Sequence, residues 1–209
     1  YTACTLANRG TLRRFGRMAK SFEKIGCLAR RSCTIRDRQT MENNMKLEGS
    51  CDCGSVRFSV ETDTPYPYNR CYCSICRKTA GGGGYAINIM ARADTLRTTG
   101  KGNLAVYRAA KNDRESYEED GLSPSHRNFC SKCGSALWVQ STDYPDFIYP
   151  FASAIDTPLP EAPESTHLML AHKPPWVAVN AADHDARFDL YPDIGIEQWH
   201  KKRGLFGDQ

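Results

Sequence analysis

Seven of the ten cysteines in this 209-residue chain fall into three tight groups: Cys51-Asp-Cys53-Gly54, Cys71-Tyr-Cys73-Ser-Ile-Cys76 and Cys130-Ser-Lys-Cys133-Gly134. Seven is odd, and cysteines one or two residues apart bridge each other poorly, so a disulfide framework does not fit. Metal binding does. Thiolate is the soft ligand that selects zinc over hard cations, and Cys-x-x-Cys followed by Gly is a recurrent zinc knuckle in which a tight turn presents both sulfurs to one ion. Cys130 to Gly134 has that spacing. Cys51-x-Cys53-Gly54 is one residue shorter and keeps the glycine. The two pairs together make one closed, four-sulfur site, which predicts that Cys51, Cys53, Cys130 and Cys133 hold a structural zinc and staple two distant strands.

The middle group supplies three thiolates from six residues, with no further cysteine left in the body to complete it. Three protein ligands and an exchangeable fourth position are the signature of a catalytic zinc. Cys71, Cys73 and Cys76 are therefore the candidate catalytic residues. The competing reading fills the vacancy with His126, His167, His172, His184, His200 or a carboxylate, which makes the second site inert. Cys4, Cys27 and Cys33 stand alone upstream and read as free thiols.

The elements that position these groups read as mainly β. Val56, Phe58 and Val60 alternate with polar neighbours, as in a half-buried strand. Tyr85 to Met90, Leu104 to Tyr107, Ala136 to Val139 and Phe147 to Phe151 read similarly. Ser74 is a candidate cap for a short helical turn through Cys76 to Thr79, stopped by the glycines at 81–84. Residues 196–202 predict one short helix. Five prolines make 156–176 an irregular connection in this reading.

Charge separates the chain into a leader and a body. Residues 1–44 carry ten Lys and Arg against three acids, whereas 45–209 carry 18 against 21, so the net charge of +4 belongs to the leader. A nucleic-acid partner is not expected from such a body. No apolar run approaches the roughly 18 residues that cross a bilayer, so no membrane span is expected. The Arg-rich, acid-poor leader resembles a mitochondrial transit peptide, and the alternative is an upstream non-native start, with Met41 or Met45 beginning a cytoplasmic protein. The expected organisation is a disordered leader over 1–44, a zinc domain over 45–176, and a C-terminal extension over 177–209 that packs on it. The cytoplasm is the expected location, or the mitochondrion if the leader is a true transit peptide.

Three blocks carry a resemblance: Glu48-Gly-Ser-Cys-Asp-Cys-Gly-Ser-Val-Arg-Phe58, Cys71-Tyr-Cys-Ser-Ile-Cys-Arg-Lys-Thr-Ala-Gly81 and Arg127-Asn-Phe-Cys-Ser-Lys-Cys-Gly-Ser-Ala-Leu137. In order and spacing they resemble the signature blocks of the glutathione-dependent formaldehyde-activating enzyme family, which includes the centromere protein V group. The resemblance covers roughly residues 45–176. It implies a Mss4-like fold with two zinc ions per chain. It also implies a carbon-sulfur lyase reaction that joins formaldehyde to glutathione as S-hydroxymethylglutathione. The partners are then a small thiol and a small aldehyde. The family commonly has His between the first two cysteines of the catalytic block where this chain has Tyr72.

Near the trio, Arg77 and Lys78 offer positive charge to offset three thiolates or to meet a glutathione carboxylate. Gly81 to Gly84 permit close backbone approach to a ligand. Trp176 is a candidate pocket wall, and His126 a candidate proton shuttle. The rival function is a non-catalytic zinc module that carries glutathione or docks a protein. A methionine sulfoxide reductase on the same fold class needs a redox cysteine away from the metal, and the body has none to spare.

Overall fold

The computed structural model describes residues 44–110 and 121–207. The basic leader, with its transit-peptide reading and its three single cysteines, lies outside the described residues. In chain order the elements are β1 (Met45–Ser50), β2 (Arg57–Thr62), β3 (Asn69–Cys71), α1 (Ser74–Ala80), β4 (Ala86–Ile87), β5 (Ala91–Arg92) and β6 (Arg97–Thr99). They continue with β7 (Leu104–Tyr107), β8 (Ser125–Cys130), β9 (Ala136–Ser141), β10 (Phe147–Pro150), β11 (Thr166–Leu168), β12 (Ala186–Arg187) and α2 (Ile196–Lys202). The fold is mainly β, as expected.

These strands form three small sheets, ordered β1-β2-β6, β5-β10-β9-β8-β7 and β12-β11-β3-β4. The first is built by alternation: Met45 faces Thr62 and Ser50 faces Arg57 across an antiparallel pair, which turns Leu47, Phe58 and Val60 inward together. The second sheet contributes Leu137, Trp138 and Ile148 to the same core, and Phe151 joins them just after β10. Where the two sheets meet, Phe58 and Trp138 pack edge to face with ring centroids 5.1 Å apart.

The third sheet differs from expectation. The stretch 156–176 contains β11, which runs parallel to β3 with Thr166 opposite Asn69 and Leu168 opposite Cys71. All three β11 residues are buried, so no polar alternation marks it, and its partner lies far away in sequence. Downstream, β12 pairs in parallel with β11, and Trp199 of α2 stacks on Tyr68 at 3.6 Å between centroids. Arg203 lies over the Trp199 ring at 4.3 Å and donates from Nε to Glu164 at 2.7 Å.

Two glycines are set by close approach. Gly100 has φ +74°, and a Cβ there would sit 1.9 Å from the Ser55 carbonyl oxygen. Gly84 has φ +89°, and its Cβ would sit 2.4 Å from a Val177 methyl. Only glycine fits either position without moving backbone or core.

Candidate metal centres

Both predicted groups of sulfurs are brought together, one at the end of a hairpin and the other at the start of a helix. In the four-sulfur group, Cys51 follows β1 and Cys130 ends β8, each at the mouth of a turn closed by a left-handed glycine, Gly54 at φ +69° and Gly134 at φ +77°. Each glycine amide donates back to the first cysteine's carbonyl, Gly54 to Cys51 at 2.9 Å and Gly134 to Cys130 at 2.8 Å. The Asp52 amide reaches across to the Ser135 hydroxyl at 3.1 Å and ties the two knuckles together. The sulfurs of Cys51, Cys53, Cys130 and Cys133 lie within 4.8 Å of one another.

The spacings identify what such a set can hold. Cys51 and Cys53 sulfurs are 3.5 Å apart, and those of Cys53 and Cys130 3.8 Å. A disulfide would need about 2.05 Å. Four sulfurs each about 2.3 Å from a tetrahedral zinc stand about 3.8 Å apart, so the donor set fits that ion. Burial pushes the Cys51 thiol up to about 11, whereas the Ser135 hydroxyl and amide draw exposed Cys133 down to about 6.

The trio is assembled differently. Cys71 ends β3, locked between Ala86 of β4 and Leu168 of β11. Cys73 is the N-cap of α1, and its sulfur accepts the Cys76 amide at 3.3 Å. Ser74, the expected cap, is instead the first residue of the helix; the cysteine sulfur has taken the role that a hydroxyl usually plays. Cys76 sits in the first turn, so β3, the cap and the helix converge three sulfurs within 4.8 Å. The Cys71 and Cys76 thiols hold Cys73 far below the usual thiol range, while the neighbouring Cys73 and Cys76 sulfurs push Cys71 far above it. Among the described residues no histidine or carboxylate joins this group.

Arg127 is a further candidate, which spacing alone did not single out. It lies on β8, and its Nη2 donates toward the Cys76 sulfur at 3.7 Å. Its Nη1 is buried and finds no acceptor among the described residues. The only advance signal was its place three residues before the Cys130 knuckle. Strand alternation sends His126 to the opposite face of β8 from Arg127, away from the trio. The remaining candidates are also elsewhere: His172 and His184 are exposed, and His200 is buried in α2.

Tyr72, between two of the trio's cysteines, points into the third sheet. Its hydroxyl lies 2.9 Å from Nδ1 of His167, whose Nε2 is 3.4 Å from Oδ2 of Asp185. That phenol is engaged with the imidazole, and burial raises it above its ordinary range. Arg77 is half-buried and Lys78 exposed on α1. The close approach at Gly81 is to its own chain, since a Cβ there would meet the Tyr85 carbonyl oxygen at 2.3 Å. Trp176 is 69% exposed and lines neither cavity described below.

Two cavities flank the C-terminal end of α1. One of about 470 Å³ is polar and opens beside the four-sulfur group, with Ser50, Asp52, Ser135 and Asp156 in its wall. The other, about 350 Å³, is lined by Thr79, Tyr107, Arg127, Phe129, Ala136 and Phe151. Arg127 therefore touches both this cavity and the trio.

A sequence profile described as "Glutathione-dependent formaldehyde-activating enzyme" (GFA) matches residues 46–171, a span that holds both sulfur groups and Arg127. The chain belongs to the GFA family. A Halomonas elongata protein that carries the provisional name of a glutathione-dependent formaldehyde-activating enzyme is 54% identical over 162 residues, which is 77% of this chain and 98% of that one. A crystal structure of a Rhodobacter sphaeroides protein is similar at 28% identity, covering 54% of this chain and 91% of that chain, with a TM-score of 0.41. Among the described residues, no helix is long and apolar enough to cross a membrane.

Proposed function

We propose that this GFA-family chain is a zinc-dependent carbon-sulfur lyase that forms and cleaves the adduct of glutathione with a small aldehyde. The observation that carries the reading is the three-sulfur group to which no histidine or carboxylate is added among the described residues, beside the half-buried Arg127, whose buried Nη1 has no acceptor among them. The four-sulfur group is assigned to a structural zinc, and Cys71, Cys73 and Cys76 to a second, catalytic one. When bound there, zinc supplies Lewis acidity and favours the thiolate form of a thiol substrate.

The chain's own residues do the rest. Three thiolates on a divalent ion leave one excess negative charge, and the Arg127 guanidinium at 3.7 Å from Cys76 offsets it. With Nη2 so engaged, Nη1 would donate to an oxygen, either the aldehyde carbonyl or the alkoxide that forms as sulfur adds to carbon. In that addition the glutathione S–H bond breaks, a C–S bond forms, and the proton is returned to oxygen through solvent. Arg77 and Lys78, immediately after Cys76 on α1, would meet a glutathione carboxylate. Tyr72, Cys73 and Cys76 are buried, which keeps bulk water from the sulfur side of the site.

Exchange of label between formaldehyde, glutathione and S-hydroxymethylglutathione, followed by NMR at equilibrium, tests the assignment. The wild type should accelerate exchange, and Cys76→Ser should return it to the uncatalysed rate while the fold persists. Equal exchange with and without the wild-type protein would refute the lyase reading.

A further inference from the structure

The apolar cavity beside Arg127 is larger than the reaction on formaldehyde requires. Its volume is about 350 Å³. A one-carbon adduct adds a group not much bigger than a water molecule, whose share of liquid volume is about 30 Å³. Cavities of roughly 300 Å³ and above are in the range that holds organic ligands. The wall is mostly apolar: Phe151, 1% exposed, Phe129, Ala136 and the 46% exposed Tyr107 make most of it, with Thr79, Asn128 and Arg127 as its polar members.

One helical spacing and one contact join this cavity to the trio. Thr79 in its wall lies three residues after Cys76, on the same face of α1. Arg127 lines the cavity and donates toward the Cys76 sulfur. A sulfur held at the trio therefore has an apolar chamber one side chain away, and on the far side of Arg127 from the metal ligands there is room for carbon.

We propose that this chamber receives the carbon substituent of the glutathione adduct, so that the preferred ligands are S-adducts with an apolar chain or ring and the preferred aldehydes are longer than formaldehyde. The proposal rests on the reading that glutathione binds at the trio. For such an aldehyde the bonds change as for formaldehyde: S–H breaks, C–S forms, and the proton ends on the hydroxyl of the hemithioacetal. Specificity then comes from burial of the substituent, with each methylene moved out of water worth roughly three- to fourfold in affinity.

The test is calorimetric titration of the zinc-loaded full chain with S-methylglutathione and S-hexylglutathione, stable thioethers that do not turn over. The wild type should bind the hexyl compound at least tenfold more tightly. Ala136→Leu, which fills the chamber from β9, should shrink that preference at least fivefold, and Thr79→Leu should do so from the α1 side if the first variant does not fold. Equal affinity for the two compounds, binding of neither, or an unchanged preference in both variants would overturn the proposal. A hexyl preference that persists in a protein with no activity on any aldehyde would sink the lyase reading and leave the chamber's assignment standing.

Discussion

The Tyr72 hydroxyl and His167 Nδ1 lie 2.9 Å apart, across 95 residues of sequence, and both side chains are buried. The contact works with one arrangement of protons: Tyr72 donates to Nδ1, and Nε2–H donates to Asp185, itself held by the amides of Ser165 at 2.7 Å and Ala182 at 2.9 Å. The chain of bonds anchors the strand that carries Cys71 to the segment after β11. Tyr72→Phe leaves the imidazole nitrogen unpaired and should cost about 1–2 kcal/mol, and His167→Ala, which strands two groups, about 2–4 kcal/mol, both read from urea midpoints of zinc-loaded protein.

Acid should destabilise the fold through its buried histidines. Burial lowers His167 and His200 below the ordinary 6.5. The unfolded chain then binds protons that the folded chain refuses, so stability is fully present above pH 6.5 and falls as pH drops through the lowered folded values. Asp185 acts lower on the scale. Burial would raise it, but the Ser165 and Ala182 amides and His167 outweigh that and hold it below its ordinary 3.8. A urea midpoint that is flat from pH 8 to 6.5 and declines toward pH 5 is expected, and no decline in that window would contradict it.

Arg127 should control how tightly the trio holds its ion. Groups that orient or neutralise metal ligands typically account for about 10- to 100-fold in affinity. Arg127→Gln should weaken one zinc by about that factor and leave the other unchanged, as measured by chelator competition.

Gly100 braces the first knuckle from below. A Cβ at this left-handed position would meet the Ser55 carbonyl, two residues after Cys53. Gly100→Ala should cost at least about 2 kcal/mol, more than a tolerated glycine replacement gains, and should accelerate loss of the four-sulfur zinc.

What the sequence disclosed was local. The knuckle spacings, the alternation of Val56, Phe58 and Val60, the Leu104–Tyr107 strand and the Ile196–Lys202 helix all depend on neighbours within a turn or a strand. What it hid was carried by distant partners. The strand Thr166–Leu168 exists because β3 lies beside it, Tyr72, just after β3, finds His167 on the neighbouring β11, and Arg127 on β8 meets Cys76 on α1 51 residues away in sequence. The cap on α1 was misplaced by one residue because sulfur is a rare acceptor, and Cys73 serves as both cap and candidate ligand.

The account turns on one closed sulfur site and one open one, and metal withdrawal measures that difference directly. Protein spanning both groups should contain two zinc ions per chain. A mild chelator should remove one rapidly, with withdrawal slowed by S-hexylglutathione, and the other only on unfolding. Two ions lost together and slowly, indifferent to glutathione compounds, would contradict the account and leave a zinc-braced scaffold without an exchangeable site.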